Sequence, residues 1–174
     1  MTVEYISILN QEAIDWINKL NLKEHPEGGY FVETYKSEKF VNLPEYDGPR
    51  HACTAIYYLL TGDQFSSFHR IKSDEMWHFY AGGSLSLQII EGRGNNSKLI
   101  EIILGSRIDY KETFQAVIKA GSWFAASLID HNSYCLAGCT VSPGFDYRDW
   151  ELGSVEMLSK MYPQHKSVIE KYTR

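Results

Sequence analysis

Two spacings of apolar residues alternate with turn signals along this chain, and the two-residue period dominates. Leu85, Leu87 and Ile89 alternate with Ser84, Ser86 and Gln88, so one face of an extended segment is apolar and the other polar. The run from Thr54 to Leu60, TAIYYLL, is almost wholly apolar and of strand length, which predicts a strand buried on both faces. Tyr30 to Tyr35, Met76 to Tyr80, Leu99 to Leu104, Phe114 to Ile118, Ser133 to Val141 and Phe145 to Trp150 are further short segments rich in aromatic and β-branched residues. Glycine- and asparagine-rich turns punctuate them. EGRGNN, residues 91–96, predicts a hairpin, and KAGSW a turn before Ser133. Roughly eight to ten short strands at regular spacing predict a sandwich or barrel, not alternating strands and helices.

The three- to four-residue period appears only at the ends. Ala13, Ile14, Ile17 and Leu20 predict an outer helix over residues 10–20, capped by Asn10. Ser154 caps a second helix carrying Met157, Leu158 and Met161. Pro163 ends it, and a third short helix carries Val168, Ile169 and Tyr172. Ser37 to Pro49, with two prolines, a glycine and several charges, reads as a loop. With no internal repeat or linker, the 174 residues are expected to form one domain: a barrel over about 28–152 and helical flanks over about 10–20 and 154–173.

Composition narrows the function classes. Hydrophobic content of 44% and charged content of 22% are those of a globular protein. A net charge of -5 argues against a nucleic-acid surface, which needs clustered Lys and Arg. No segment reads as membrane-spanning, and the first residues do not have the layout of a secretory signal. Three cysteines without CxxC spacing argue against a disulfide framework and a zinc knuckle, so a cytoplasmic location is expected. Aromatic content of 14% fits a lined cavity as well as an aromatic core.

The chemistry concentrates between Gly62 and Gly82, where His69, Glu75 and His78 lie within ten residues among aromatics. If Glu75 faces inward on a strand, so do Trp77 and Phe79, and His78 faces out. A His with a carboxylate in a dry pocket suits proton transfer or metal binding. Arg70 is placed to clamp a phosphate or carboxylate, or to form a surface ion pair. Trp77 and Trp123 offer faces that stack on a ligand, or fill the core. His25 and Glu27, in HPEGGY, border the pocket or build a turn. His51, His131 and His165 read as surface or loop residues, Cys139 as a small apolar residue, and Asp146, Asp149 and Glu151 as a solvated strand edge or a pocket rim.

The spacing Gly62, His69, Ile71, Glu75, Gly82 resembles the first cupin motif, and Lys119 to Phe124 resembles the second. With HPEGGY, HRIKSDEMWHFYAGG and CTVSPGFDYRDWELG, about residues 10–155 resemble the DUF985-like cupin branch labelled predicted cupin sugar epimerases. The resemblance implies an all-β double-stranded β-helix, the jelly-roll barrel, usually a homodimer, with a small-molecule pocket inside. Metal-binding cupins hold their ion with three His and one Glu. Here His69 and Glu75 match, but Ile71 and Phe124 stand at the other two positions. No tight metal site is expected, since catalytic ions keep at least three protein ligands; a divalent transition metal would use His69 and Glu75.

The resemblance then implies a metal-independent epimerase or isomerase acting on a carbohydrate-like or nucleotide-linked substrate. His69 would be the base, with Glu75 orienting it or serving as second acid/base. A Tyr acid is sought among Tyr57, Tyr58, Tyr80 and Tyr147, and a positive group among Arg50, Arg70, Lys72 and Arg148. Arg70, Trp77, His78, Phe79, Trp123, Tyr57 and Arg50 are the expected substrate contacts. A metal-dependent dioxygenase or isomerase and a non-catalytic binding cupin are the alternatives.

Overall fold

The computed structural model describes the backbone of residues 3–174 and the side chains from residue 11 onward. In chain order the elements are α1 (Val3–Leu20), β1 (Lys23–Glu24), β2 (Tyr30–Lys36), β3 (Phe40–Val41), β4 (Arg50–His51), β5 (Thr54–Thr61), β6 (Phe65–Ile71) and β7 (Asp74–Gly82). There follow β8 (Leu85–Glu91), β9 (Lys98–Leu104), β10 (Gln115–Ile118), β11 (Trp123–Leu128), β12 (Tyr134–Ser142), β13 (Trp150–Leu152), α2 (Val155–Met161) and α3 (Lys166–Lys171). Asn10, the expected cap, lies outside the residues whose side chains are described.

The strands form two facing sheets, ordered β1-β2-β5-β12-β7-β10 and β13-β6-β11-β8-β9, with β3 and β4 paired separately. Every pairing between strands of these sheets is antiparallel. From β5 to β8 the chain crosses between the sheets at each step, and it crosses again at each step from β9 to β13. This is the jelly-roll that the resemblance implies, one form of the sandwich or barrel that the pattern predicts. Its consequence for the site is direct: β6 and β7, separated by a two-residue turn, stand on opposite walls of one interior.

Three apolar clusters hold the layers together. Tyr58, Leu60, Trp77, Leu85, Leu87, Phe124 and their neighbours fill part of the space between the sheets. Phe68, Ile90, Trp123 and Ala125 on the outer face of the five-stranded sheet are covered by Leu158, Tyr162, Ile169 and Tyr172 of the C-terminal helices. Leu59, Tyr134 and Leu136 on the outer face of the other sheet are covered by Ala13, Trp16, Ile17 and Leu20 of α1. Trp16 takes the place expected for Ile14, which is exposed. The alternation along β5 explains its unbroken apolar run, for Leu59 faces α1 while Tyr58 and Leu60 face the interior. Ser154 caps α2 through its side chain, which accepts from the Met157 N–H.

Two long strands escape the sequence pattern, as do the two-residue strands β1, β3 and β4, of which β3 falls in the segment read as a loop, and one expected strand is displaced. β6 contains the buried polar residues Ser66, Ser67 and His69, and β11 (WFAASL) is buried at every position, so neither alternates. The strand expected over Phe145 to Trp150 is instead a loop and a single 3-10 turn, Tyr147–Asp149, whose N-cap Asp146 accepts from the Arg148 N–H; β13 begins at Trp150.

Candidate active site

Between the sheets, beside the apolar cluster, lies a cavity of ≈ 480 Å³. Its floor is built from three distant pieces of chain. The HPEGGY turn supplies His25 and Glu27 and is docked on β6, where Ser67 N donates to Glu27 O at 3.0 Å. Gly28, at φ +113°, lies so close to the Phe65 carbonyl that no Cβ fits, and its own carbonyl accepts from Tyr58 OH at 2.6 Å. This close approach turns the Glu27 side chain inward. Its carboxyl accepts from Ser66 Oγ at 3.0 Å on β6 and from the Trp150 indole N–H on β13.

His69 Nε2 lies 3.3 Å from Glu27 Oε2. On the other side of the ring, Nδ1 lies 2.8 Å from the Ser67 carbonyl oxygen. A carbonyl can only accept, so Nδ1 carries the hydrogen and the bare nitrogen of the neutral ring is Nε2, facing Glu27. The Phe124 ring packs on the imidazole at 4.1 Å. Burial pushes His69 down to about 4, with the Ser67 hydrogen bond acting weakly the other way. Burial pushes the Glu27 carboxyl up, against His25, Trp150 and Ser66, which pull it down. Burial thus favours the uncharged form of both groups, and the bare Nε2 faces the Glu27 carboxyl.

Glu75 enters from the opposite wall, on β7. Burial and the neighbouring Glu27 push its carboxyl up to about 8, while the Cys139 thiol hydrogen bond pulls it down. It is protonated at pH 7, and Cys139 remains a thiol because burial and Glu75 push it well up. Trp77, two residues along on the same face, makes the adjoining wall with Tyr58, against which it packs edge-on at 5.5 Å. At the mouth lie Glu33, Lys36, His51, Phe145, Asp146 and Tyr147. His51 Nδ1 donates to Ser37 O at 2.6 Å, which leaves its Nε2 as an acceptor.

His69, Glu75 and Trp77 thus meet in the cavity, while six expected substrate contacts lie elsewhere. Arg50 is buried against Asp149, donating through Nε at 2.6 Å and through Nη2 at 2.9 Å. Arg70 points out of the barrel, with Nη2 2.6 Å from Glu151 and its guanidinium 4.7 Å above the Trp123 ring. Trp123 belongs to the outer cluster under the C-terminal helices. Tyr57 is on the α1 side of β5, one residue out of phase with Tyr58. His78 is on the outer face of β7, bonded to Thr140 and Gln115, and Phe79 packs at the end of the apolar cluster away from the cavity. Of the tyrosines considered as acids, Tyr58 and Tyr147 line the cavity.

His25 and Glu27, read as pocket border or turn, and Asp146, read as pocket rim or strand edge, line the cavity, and so do His51 and Cys139, read as a surface or loop residue and a small apolar residue. The one local signal for the first two was a pair of glycines beside a His and a Glu, a turn built for close packing. The donor set does not fit a cupin metal. Ile71 lines the cavity and Phe124 covers His69 where two imidazoles would stand. Among the described residues no group of three or more His, Cys, Asp or Glu side chains is arranged to hold an ion. Among the same residues no helix is long and apolar enough to cross a membrane.

Comparison with known proteins places this geometry in a family. A hypothetical protein from Leishmania major superposes with a TM-score of 0.85 at 35% identity, covering 92% of this chain and 98% of that one. Protein SO0799 from Shewanella oneidensis superposes with a TM-score of 0.83 at 38% identity, covering 93% and 97%. An uncharacterised Saccharomyces cerevisiae protein is 31% identical over 160 residues, 82% of this chain and 74% of its own. Oxalate decarboxylase from Bacillus subtilis shares the fold alone, with a TM-score of 0.51 at 13% identity over 79% of this chain and 33% of its own. The family profile described as Cupin superfamily (DUF985) matches residues 14–153, and the chain belongs to that family.

Proposed function

We propose that this cupin catalyses proton transfer at carbon beside a carbonyl, as an isomerase or epimerase of a small carbohydrate-like substrate, without a metal. One arrangement carries the reading: His69, with its bare nitrogen beside the Glu27 carboxyl, and Glu75, whose carboxyl burial pushes up to about 8, stand on facing walls of one cavity. Groups of opposite role, held apart by environment, are what acid–base catalysis needs.

In the step we assign, His69 Nε2 takes the proton from carbon. The C–H electron pair becomes the carbon–carbon double bond, and the carbonyl oxygen receives the proton of Glu75. The product is a neutral enol, so no cation is required. In its carboxylate form, Glu27 stabilises the newly formed imidazolium. Return of the His69 proton to the neighbouring carbon, with that carbon's hydroxyl proton passing to the Glu75 carboxylate, moves the carbonyl and restores both groups; inversion takes its proton from solvent on the other face, while His69 gives its own to solvent and the enol hydroxyl returns its proton to Glu75. Neither outcome oxidises or reduces the substrate.

The test is solvent exchange. The protein in D2O is offered dihydroxyacetone, D-glyceraldehyde, D-fructose and a 4-keto-hexose, and deuterium on carbon is read by mass spectrometry. Exchange with at least one compound, lost in His69→Asn and in Glu75→Gln, is expected. Exchange with none of them, or equal exchange in both variants, overturns the reading.

A further inference from the structure

We infer that the cavity is built for an uncharged ligand, a free hydroxy-carbonyl compound, and turns away its phosphorylated and nucleotide-linked forms. The inference rests on the proton-transfer reading for the carbonyl and on the arrangement of charges for the rest. Four carboxyl groups line the cavity, Glu27, Glu33, Glu75 and Asp146, against one permanent cation, Lys36. That ammonium already lies 3.6 Å from Glu33. Phosphate recognition takes clustered Arg and Lys or free backbone N–H groups, and each Arg and Lys around this cavity is paired with a carboxylate.

Arg148 is nearest the mouth, and it donates to both oxygens of Asp146 and to Asp47 O. Arg50 and Lys72 both attend Asp149, and Arg70 lies outside the barrel on Glu151. Two backbone donors beside the cavity are also occupied. The Arg148 N–H at the start of the 3-10 turn is taken by the Asp146 side chain, and the Gly28 N–H donates to His25 O at 3.0 Å. A phosphate entering here would lose its water without gaining a cation. It would also work against the chemistry, because a nearby anion favours the protonated form of the His69 base. If the carboxyls ionise they repel the anion, and if they stay protonated they offer it no charge, so the exclusion holds in either state.

The experiment reads the charge preference without needing the substrate. Ile56 lines the cavity, so Ile56→Cys is made in a Cys53→Ser background, with Phe145→Cys as a second position should the first fail to fold or react. Rates of modification by uncharged, sulfonate-bearing and trimethylammonium-bearing methanethiosulfonates are divided by those of a free thiol, and the rate of the parent lacking the new cysteine is subtracted. The sulfonate is expected to react about tenfold more slowly than the cationic reagent, the scale a nearby carboxylate sets at a half-buried site. Asp146→Asn is expected to narrow that gap. Millimolar uridine diphosphate is expected to leave the rate of the uncharged reagent unchanged. Equal or faster reaction of the sulfonate, or protection by uridine diphosphate, overturns the inference. Neither rate depends on turnover, so failure of the solvent-exchange test would remove the proton-transfer reading while leaving this charge preference standing, and the reverse is equally distinguishable.

Discussion

Replacing Glu75 by Gln removes an ionisation that burial in this barrel opposes, and the effect is measurable as stability. The Glu75 carboxyl ionises in the folded protein at about 8 against an ordinary value of 4.5. A group whose folded value is raised binds more protons in the folded state than in the unfolded one, so unfolding free energy falls as pH rises between those two values. Each factor of ten in acidity corresponds to about 1.4 kcal/mol. Wild type is therefore expected to lose about 1.4 kcal/mol per pH unit relative to Glu75→Gln between pH 5 and 8. The total reaches about 5 kcal/mol by pH 9. Gln keeps the shape and cannot ionise, and Glu27 is present in both proteins, so the difference between the two curves isolates Glu75 and its coupling to Glu27. Urea denaturation at pH 5, 6, 7, 8 and 9 gives the measurement. Parallel curves for the two proteins would refute the assignment of Glu75 as a buried acid, and with it the acid in the proposed step.

Other consequences follow from the same geometry. Turnover is expected to fall above about pH 8 as Glu75 ionises, and a pH–rate profile flat from 7 to 10 would contradict its role. Arg50→Ala leaves Asp149 buried without its bidentate partner and is expected to cost about 3–5 kcal/mol in thermal or urea unfolding. Gly28→Ala puts a Cβ against the Phe65 carbonyl at a positive φ and is expected to cost about 1–3 kcal/mol and to shift the His69 imidazole signals in NMR, since Glu27 moves with the turn. Protein purified without chelator is expected to carry no stoichiometric transition metal by elemental analysis, and one ion per chain would refute the reading of Ile71 and Phe124.

Much of the fold was written in local periodicity. The two-residue alternation at Leu85, Leu87 and Ile89 and the Asn-Gly-rich turn after Ile90 define β8, β9 and their hairpin. β6 and β11 were not legible, because serines and alanines buried on both faces erase alternation. The site was legible where one strand carries it: Glu75 and Trp77 share a face of β7 as their spacing predicts. It was illegible where distant segments meet. Nothing local to HPEGGY says that Glu27 faces His69, and nothing near Arg50 says that Asp149 is its partner. Arg70 and Trp123 had the right chemistry near the motif but fall on the outward phase of their strands.

The contact between Glu27 and the Trp150 indole spans 123 residues. It joins the first turn after α1 to the last strand of the barrel, and the Arg50–Asp149 pair closes 99 residues beside it. Contacts of such sequence separation form late, because the chain must surrender its entropy before they reward it. A partly folded form in which β13 has peeled away therefore keeps much of its β-structure but has lost a donor that holds the base pair in place. Activity, used as a probe of unfolding, should vanish before the far-ultraviolet signature of the sheets does.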